Sequence, residues 1–398
     1  MKRLTFIAFI FALLTTLQAH AAAADNYEEG RKEKTFTVTK GGSLSVTVGI
    51  GDIKVHTWDK NEVYVLVKGD EEEDEFAEIH IRQRDNAIYV EYQPEWGPSG
   101  DLLFEISIPV QFSVMLETSG GDIRLDGKLT GTVKGETSGG NISTASVKGN
   151  VNLETSGGDI TTEDIDGDLT LNTSGGDIRV GKVTGMTDVH TSGGEISVES
   201  SGKSVVAETA GGNVNIGDIN GDANVSTAGG DISVDKIAGG AKLKTAGGNI
   251  RVAGANGKVY AKTAGGDVTL EHIVGSVDAK TSAGNLYVEL TPTGTSKSTL
   301  STSVGDATLY IPEDAKAVIN ARVRVQGWWR GSDEDDYIYS DYKEDSFEKS
   351  GREREIRALY TLNGGGQQIS IQTTMGNIHI EKPSGSKSKE NKKSKGKK

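Results

Sequence analysis

Apolar and polar residues alternate along most of this chain in short runs, and the runs return at a fixed interval. In GDISVDKIA (230–238) and GGAKLKTAG (239–247) a glycine is followed by apolar residues at the third and fifth positions with polar ones between. A two-residue period is that of a strand with one buried face, and the leading glycine suits a turn between strands. Helical periodicity is absent from these repeats. Two such nonapeptides make one unit, marked by T-[SA]-[GA]-G at Thr118, Thr137, Thr155, Thr173, Thr191, Thr209, Thr227, Thr245, Thr263 and Thr281, spaced nineteen residues once and eighteen thereafter.

Strands of about five residues in the same register from copy to copy fit a coil in which each turn hydrogen-bonds to the next, about 4.7–4.9 Å away. The predicted fold class is all-β: a parallel β-solenoid (β-helix) of 18-residue rungs, with two nonapeptide strands per rung and β caps at both ends. A propeller blade needs about 40 residues, and a sandwich has no cause to keep so strict an interval. The inward positions form a thin aliphatic core. Ile178 and Val180, Ile196 and Val198, and Ile232 and Val234 come from the first strand, Leu169 and Leu171, or Ala223 and Val225, from the second, and Ile219, Ile237 and Ile273 stand at the corner.

The residue after the second glycine runs Asp122, Asn141, Asp159, Asp177, Glu195, Asn213, Asp231, Asn249, Asp267, Asn285. Unit charges about 4 Å apart repel by about 1 kcal/mol in water, so alternating amide with carboxylate relieves the column and lets the side chains pair. The column reads as structural, with a cation site as the alternative. The residue before each repeat threonine lies outward and runs Glu117, Glu136, Glu154, Asn172, His190, Glu208, Ser226, Lys244, Lys262, Lys280, acidic at one end and basic at the other. Lys244, Lys262 and Lys280 read first as a solvated charged face; with Tyr260 on the same strands, an anion-binding patch is the alternative.

A solenoid must cover its end strands. Strand-like segments fill 34–117, and VGIGDIKV (48–55), TSVGDATLYIP (302–312) and TTMGNIHIEK (373–382) are degenerate rungs. The organisation read from this is an N-terminal β region and cap over 25–117, regular repeats over 118–290 and a C-terminal region over 291–382, all within one continuous β domain. GWWRGSDEDDYIYSDYKEDSFEKSG (327–351) interrupts the last rungs with acids and aromatics. It reads either as a projecting loop that binds a partner through Trp328, Trp329, Tyr337, Tyr339 and Tyr342, or as a hairpin folded back as a cap.

Composition adds a compartment. Residues 1–24 carry Lys2 and Arg3, an apolar run from Leu4 to Leu17 and Ala19-His20-Ala21, the pattern of a cleaved secretory signal. No later run is apolar enough for a membrane helix, so the expected location is extracytoplasmic: secreted, periplasmic or envelope-associated. The chain has no cysteine, so no disulfide supports the fold there. Of the net charge of −14, the Lys-rich end at 381–398 contributes +6, leaving an acidic body. The low-complexity tail at 383–398 reads as disordered, with possible contact to anionic envelope polymers.

Catalytic signals are weak. Gly202-Lys203-Ser204 copies the end of a phosphate-binding loop, but Ser197 stands where its first glycine belongs. The nonapeptides resemble those of calcium-binding β-rolls, yet Ile232 and Val234 occupy the positions that would carry the roll's glycine and aspartate. Histidines at 20, 56, 80, 190, 272 and 379 have no metal-site spacing. No cofactor or metal is expected, nor nucleic acid.

The T-[SA]-G-G-[DN]-[IV] ladder, ISIPVQFSVMLETSGGDIRL (106–125) and LYIPEDA (309–315) resemble the β-strand-repeat family of bacterial envelope proteins known as putative adhesins. The resemblance spans nearly all of 35–382. It implies an exported, non-enzymatic protein that binds a cell-surface or envelope glycan or protein. A carbohydrate-active β-helix enzyme with a site in the flanks, and a self-assembling envelope scaffold, are the alternatives; ice binding is a more distant one.

Overall fold

The computed structural model describes residues 26–28, 30–69, 73–94, 102–324, 337–350 and 354–383. The signal at 1–24, Trp328, Trp329 and the tail from 384 lie outside the described residues. The chain is all-β, with one helix of six residues, Glu73–Glu78, among the described residues. Strands wrap in solenoid fashion, each pairing in parallel with the equivalent strand of the next turn. Ile142 pairs with Ile160, Ile160 with Ile178 and Ile178 with Ile196; on the opposite side Val151 pairs with Leu169 and Leu169 with Thr187. The alternation read from the sequence determines which side chains enter: Ile178, Leu171, Ile196, Ile232 and Val225 are all buried. Early turns contain a third short segment, such as Val147–Lys148 or Ile165–Asp166, where two strands were expected. From Ile178–Val183 onward it merges with the first strand, because the ladder runs through the corner there.

The expectation that glycine supplies turn conformation holds for Gly149 and Gly275, with φ of 147° and 141°, and not for Gly167 or Gly185 at the same corner. It fails for the second glycine of each TSGG or TAGG, since none from Gly121 to Gly284 has positive φ. What these positions require is close approach. A Cβ on Gly158 would lie 2.0 Å from the Gly140 carbonyl oxygen, whereas one on Gly157 would lie 3.4 Å from that of Gly139. The sequence respects the difference: Ala283, Val304 and Met375 replace the first glycine in the last turns, while Gly284, Gly305 and Gly376 keep the second.

The repeat threonine closes that corner. Its side chain is buried, and its hydroxyl is used twice: Thr155 Oγ1 donates to Gly140 O of the preceding turn at 2.8 Å and accepts from Gly158 N at 3.3 Å. The same donor bond runs from Thr118, which reaches Gly51 O at 2.9 Å, to Thr373, which reaches Gly305 O at 2.9 Å. This file is therefore buried and presents no face of its own to ice.

The Asp/Asn column is explained by a third bond, not by side-chain pairing. Each side-chain oxygen accepts the backbone N–H of the next member: Asp159 N reaches Asn141 Oδ1 at 2.8 Å, Asn249 N reaches Asp231 Oδ1 at 2.6 Å and Asn285 N reaches Asp267 Oδ1 at 2.7 Å. Asp and Asn serve equally because both present that oxygen. At Glu195, one methylene longer, Oε1 instead accepts from the side chain of Asn213 at 3.0 Å.

Both ends are built from long excursions between stacked turns. Strands Gly42–Val48 and Asp52–Trp58 pair in parallel with Phe112–Thr118 and Ile123–Asp126, and the chain between them forms antiparallel pairs with itself, Val65 with Ile106, and with the strand before it, Val63 with Phe36. The helix was not expected from the repeat pattern. It buries Phe76, and Lys32 Nζ donates to Phe76 O at 3.0 Å and to Ile79 O at 2.8 Å. At the other end Ser298–Ser301 and Ala307–Tyr310 pair with Gln367–Thr373 and Ile378–Glu381, and the intervening chain adds the antiparallel pair Ala317–Arg324 with Glu355–Leu362.

Three stability tests follow from this packing. Ile232 is buried and Ser233 is not, so Ile232→Asp should cost about 3 kcal/mol or more and Ser233→Asp little, measured by thermal melting. Gly158→Ala should cost about 2 kcal/mol or more while Gly157→Ala stays near neutral; equal melting temperatures would refute the close-approach account. Thr144 and Thr162 are paired neighbours whose buried hydroxyls have no hydrogen-bond partner among the described residues, where the next turn has Val180. Replacing both by Val should therefore raise stability, by about 1–2 kcal/mol in denaturant titration.

Candidate functional site

Parallel register turns outward residues into files along the stack. Lys244 pairs with Lys262 and Lys262 with Lys280, while Lys242, Tyr260 and Asp278 form the adjacent file. The structure therefore brings Lys244, Tyr260, Lys262 and Lys280 together on one face. Lys244 Nζ stands 5.8 Å from the centre of the Tyr260 ring, and Lys280 Nζ pairs with Asp278 at 2.9 Å. Lys262 has no carboxylate partner among the described residues. Adjacent ammonium groups on neighbouring turns repel, so an anion laid along the file would be stabilised by all three.

Toward the N-terminus the same face is acidic. Glu136 is paired in register with Glu117 and with Glu154, and Lys134 bridges Glu117 at 3.2 Å and Glu136 at 3.4 Å. The Glu117 hydrogen bond, then its charge, raises the Lys134 ammonium above its ordinary pKa. In the middle of the face His190 lies 2.6 Å from Asp188 and 3.6 Å from Glu208. The sign changes across Ser226.

The aromatic candidates divide. Tyr337 and Tyr342 are partly buried against the core. Tyr342 Oη donates to Ile311 O at 2.6 Å, its ring lies 5.7 Å from Lys382 Nζ, and burial pushes its phenol up to about 12. Tyr339 is 47% exposed and stacks on His379, with ring centres 5.1 Å apart. The described part of the inserted segment lies along the sheet: Ile338–Ser340 pairs in parallel with Ile378–Glu381, and Ser346–Ser350 pairs antiparallel to Glu355–Leu362.

Two features escaped the sequence reading. Tyr287 and Tyr310 pack with ring centres 4.8 Å apart on the face that carries His379 and Tyr339, and burial raises the Tyr310 phenol. Their alternation marked them as outward, but only the strand order makes them neighbours. On the lysine face, Arg322 stands opposite Arg357 in antiparallel register and opposite Gln372 in parallel register. The outward period of RVRV (322–325) was a signal for an exposed arginine, though not for its partner.

Among the described residues no group of three His, Asp or Glu is gathered as metal ligands would be, and no helix is long and apolar enough to cross a membrane. Comparison of the sequence with curated proteins finds no match. Solved structures similar to the chain include a "putative adhesin" from Bacteroides fragilis, 15% identical with a TM-score of 0.29, covering 66% of this chain and 98% of its own. Another "putative adhesin", from Parabacteroides distasonis, is 12% identical with a TM-score of 0.33 and covers 71% of this chain and 96% of its own. A "putative lipid binding protein" from the same species is 12% identical with a TM-score of 0.31, covering 66% and 95%. The family model described as Toastrack DUF4097 matches residues 15–217 and again 189–381, across the ladder whose bonds are set out above, and the chain belongs to that family.

Proposed function

We propose that this is an exported, non-enzymatic envelope protein of adhesin type, which binds an anionic surface polymer through the basic half of one solenoid face. The observation that carries this reading is the lysine file. Three ammonium groups recur on consecutive turns, with Lys262 uncompensated, in a protein whose body is strongly acidic. A solvated face needs no such segregation of sign, whereas a docking face gains rate and orientation from it. The signal-like residues 1–24 support export, and the Lys-rich tail would add a second, diffuse contact to the same polymer. In this reading the 18-residue rung is the repeating structural unit, and the excursions at the two ends close the stack against end-to-end association.

The acidic-aromatic segment is the second surface. Exposed Tyr339 on His379, with Tyr287 close to Tyr310 on the same face, suits the apolar side of a sugar ring. Because Tyr337 and Tyr342 are committed largely to packing, we give the lysine file the leading part and Trp328 and Trp329 a supporting one.

Charge reversal of Lys244, Lys262 and Lys280 to Glu should lower attachment to envelope fractions by about tenfold or more, and parental attachment should weaken steeply with added salt because the sites are exposed. Tyr339→Ala, which removes the exposed ring and leaves the packed Tyr337 and Tyr342 in place, should have the smaller effect. A lysine variant that attaches as well as the parent, with attachment indifferent to salt, would transfer the function to the aromatic surface.

A further inference from the structure

The lysine file does not stop at Lys280. Its register continues through Ser301 and Gln372 to Arg322, and across the antiparallel pair to Arg357. The neighbouring file continues from Asp278 through Thr299 and Ser370 to Asn320. Between these files lies a groove of about 420 Å³, walled by Arg322 and Arg357, floored by Thr299, Ser370 and Asn320, with Gln372 beside them. Its polar groups are hydroxyls, amides, guanidinium groups and the Lys297 ammonium.

Glu355 organises the groove. Its carboxylate is almost fully buried, and it accepts from Arg322 Nε and from Arg322 Nη2 at 3.0 Å, from Arg357 Nε at 3.1 Å and from Arg357 Nη2 at 3.0 Å. A buried carboxylate is satisfied by one bidentate arginine; here two are locked on it. Each guanidinium has five N–H donors in a fixed fork, and Glu355 takes two of them. The remaining donors of Arg322, whose side chain is 36% exposed, have no partner among the described residues. A fork held by one carboxylate is prepared to receive another at little conformational cost.

We propose that this groove binds a carboxylate-bearing sugar, and that the ligand of the basic face is a linear glycan of uronic acid residues. Its acidic groups would lie along Lys280, Lys262 and Lys244, one strand step of about 4.7–4.9 Å separating neighbouring lysines on the last two turns. The guanidinium fork of Arg322 takes one carboxylate in bidentate fashion, while Asn320, Ser370, Thr299 and Gln372 bond the ring hydroxyls. A phosphate polymer would also accept hydrogen bonds from these hydroxyls and amides, but offers no ring hydroxyl to donate to the Asn320 and Gln372 amide oxygens. The inference rests on the reading of the basic face as the binding surface and supplies its ligand.

The test is calorimetric titration of the full chain with oligogalacturonate, with its methyl ester and with inorganic polyphosphate. Oligogalacturonate should bind and its ester should not. Arg322→Gln should weaken binding about tenfold or more. Asn320→Asp, which places a carboxylate in the groove without touching the Glu355 cluster, should do the same at unchanged melting temperature. Oligogalacturonate binding that is equal in both variants and the parent, or polyphosphate bound in its place, would overturn the proposal. If the lysine reversals abolish envelope attachment while Arg322→Gln changes neither attachment nor sugar binding, the groove assignment fails and the envelope function stands. If Arg322-dependent sugar binding is found but no variant alters envelope attachment, the groove stands and the envelope function fails.

Discussion

The architecture depends on how closely two consecutive turns approach at the threonine-glycine corner. There the backbone of one turn lies where a Cβ on the next would sit 2.0 Å from a carbonyl oxygen, at Gly158 over Gly140 and again at Gly176 over Gly158. That contact admits only glycine. It also hides backbone polar groups from water, which would be costly if they were unpaired. The threonine hydroxyl donates to the carbonyl of the turn before and accepts an N–H of its own turn, and the Asp or Asn oxygen takes the N–H of the turn after. Threonine, glycine and Asx thus recur together because they solve one problem at one place.

A corner closed by hydrogen bonds permits a thin interior. Alanine stands at core positions 223, 241 and 261, in register with Val205, Val259 and Leu243 of neighbouring turns, and stability accrues by repetition of turns. Polar residues enter this core under different conditions. Thr187 donates to Ser201, whose hydroxyl donates to Gly185 O, so that pair is satisfied, whereas Thr144 and Thr162 are not. Repetition alone cannot end itself. Long excursions interrupt the series at both ends and change strand direction to antiparallel, and at the C-terminal end this change sets Arg322 against Arg357.

Stacking also converts a periodic sequence into linear arrays of charge. One residue per turn becomes a file with a fixed axial step, so a change of sign along the sequence becomes a polarity along the face: Glu117, Glu136 and Glu154 at one end, Lys244, Lys262 and Lys280 at the other. The basic end meets the arginine pair across Ser301 and Gln372. An extended anionic chain is the ligand shape that matches such an array, which ties the proposed envelope function to the groove beyond the last lysine.

The sequence by itself determined the strand class, the parallel register, the inward residues such as Ile178, Ile232 and Leu171, and the order of the lysine file. Each follows from a period of two within a longer repeat, and such periodicity is local information. It did not disclose why the second glycine is required or what the Asp/Asn oxygens bond, because both answers lie in the distance between turns. Nor did it place Tyr342 against the core, Tyr339 on His379 or Arg322 beside Arg357. Those neighbours are far apart in the chain and outside the repeat, so only the tertiary pairing of the end strands, set by burial and backbone hydrogen bonding across the whole end of the stack, could bring them together.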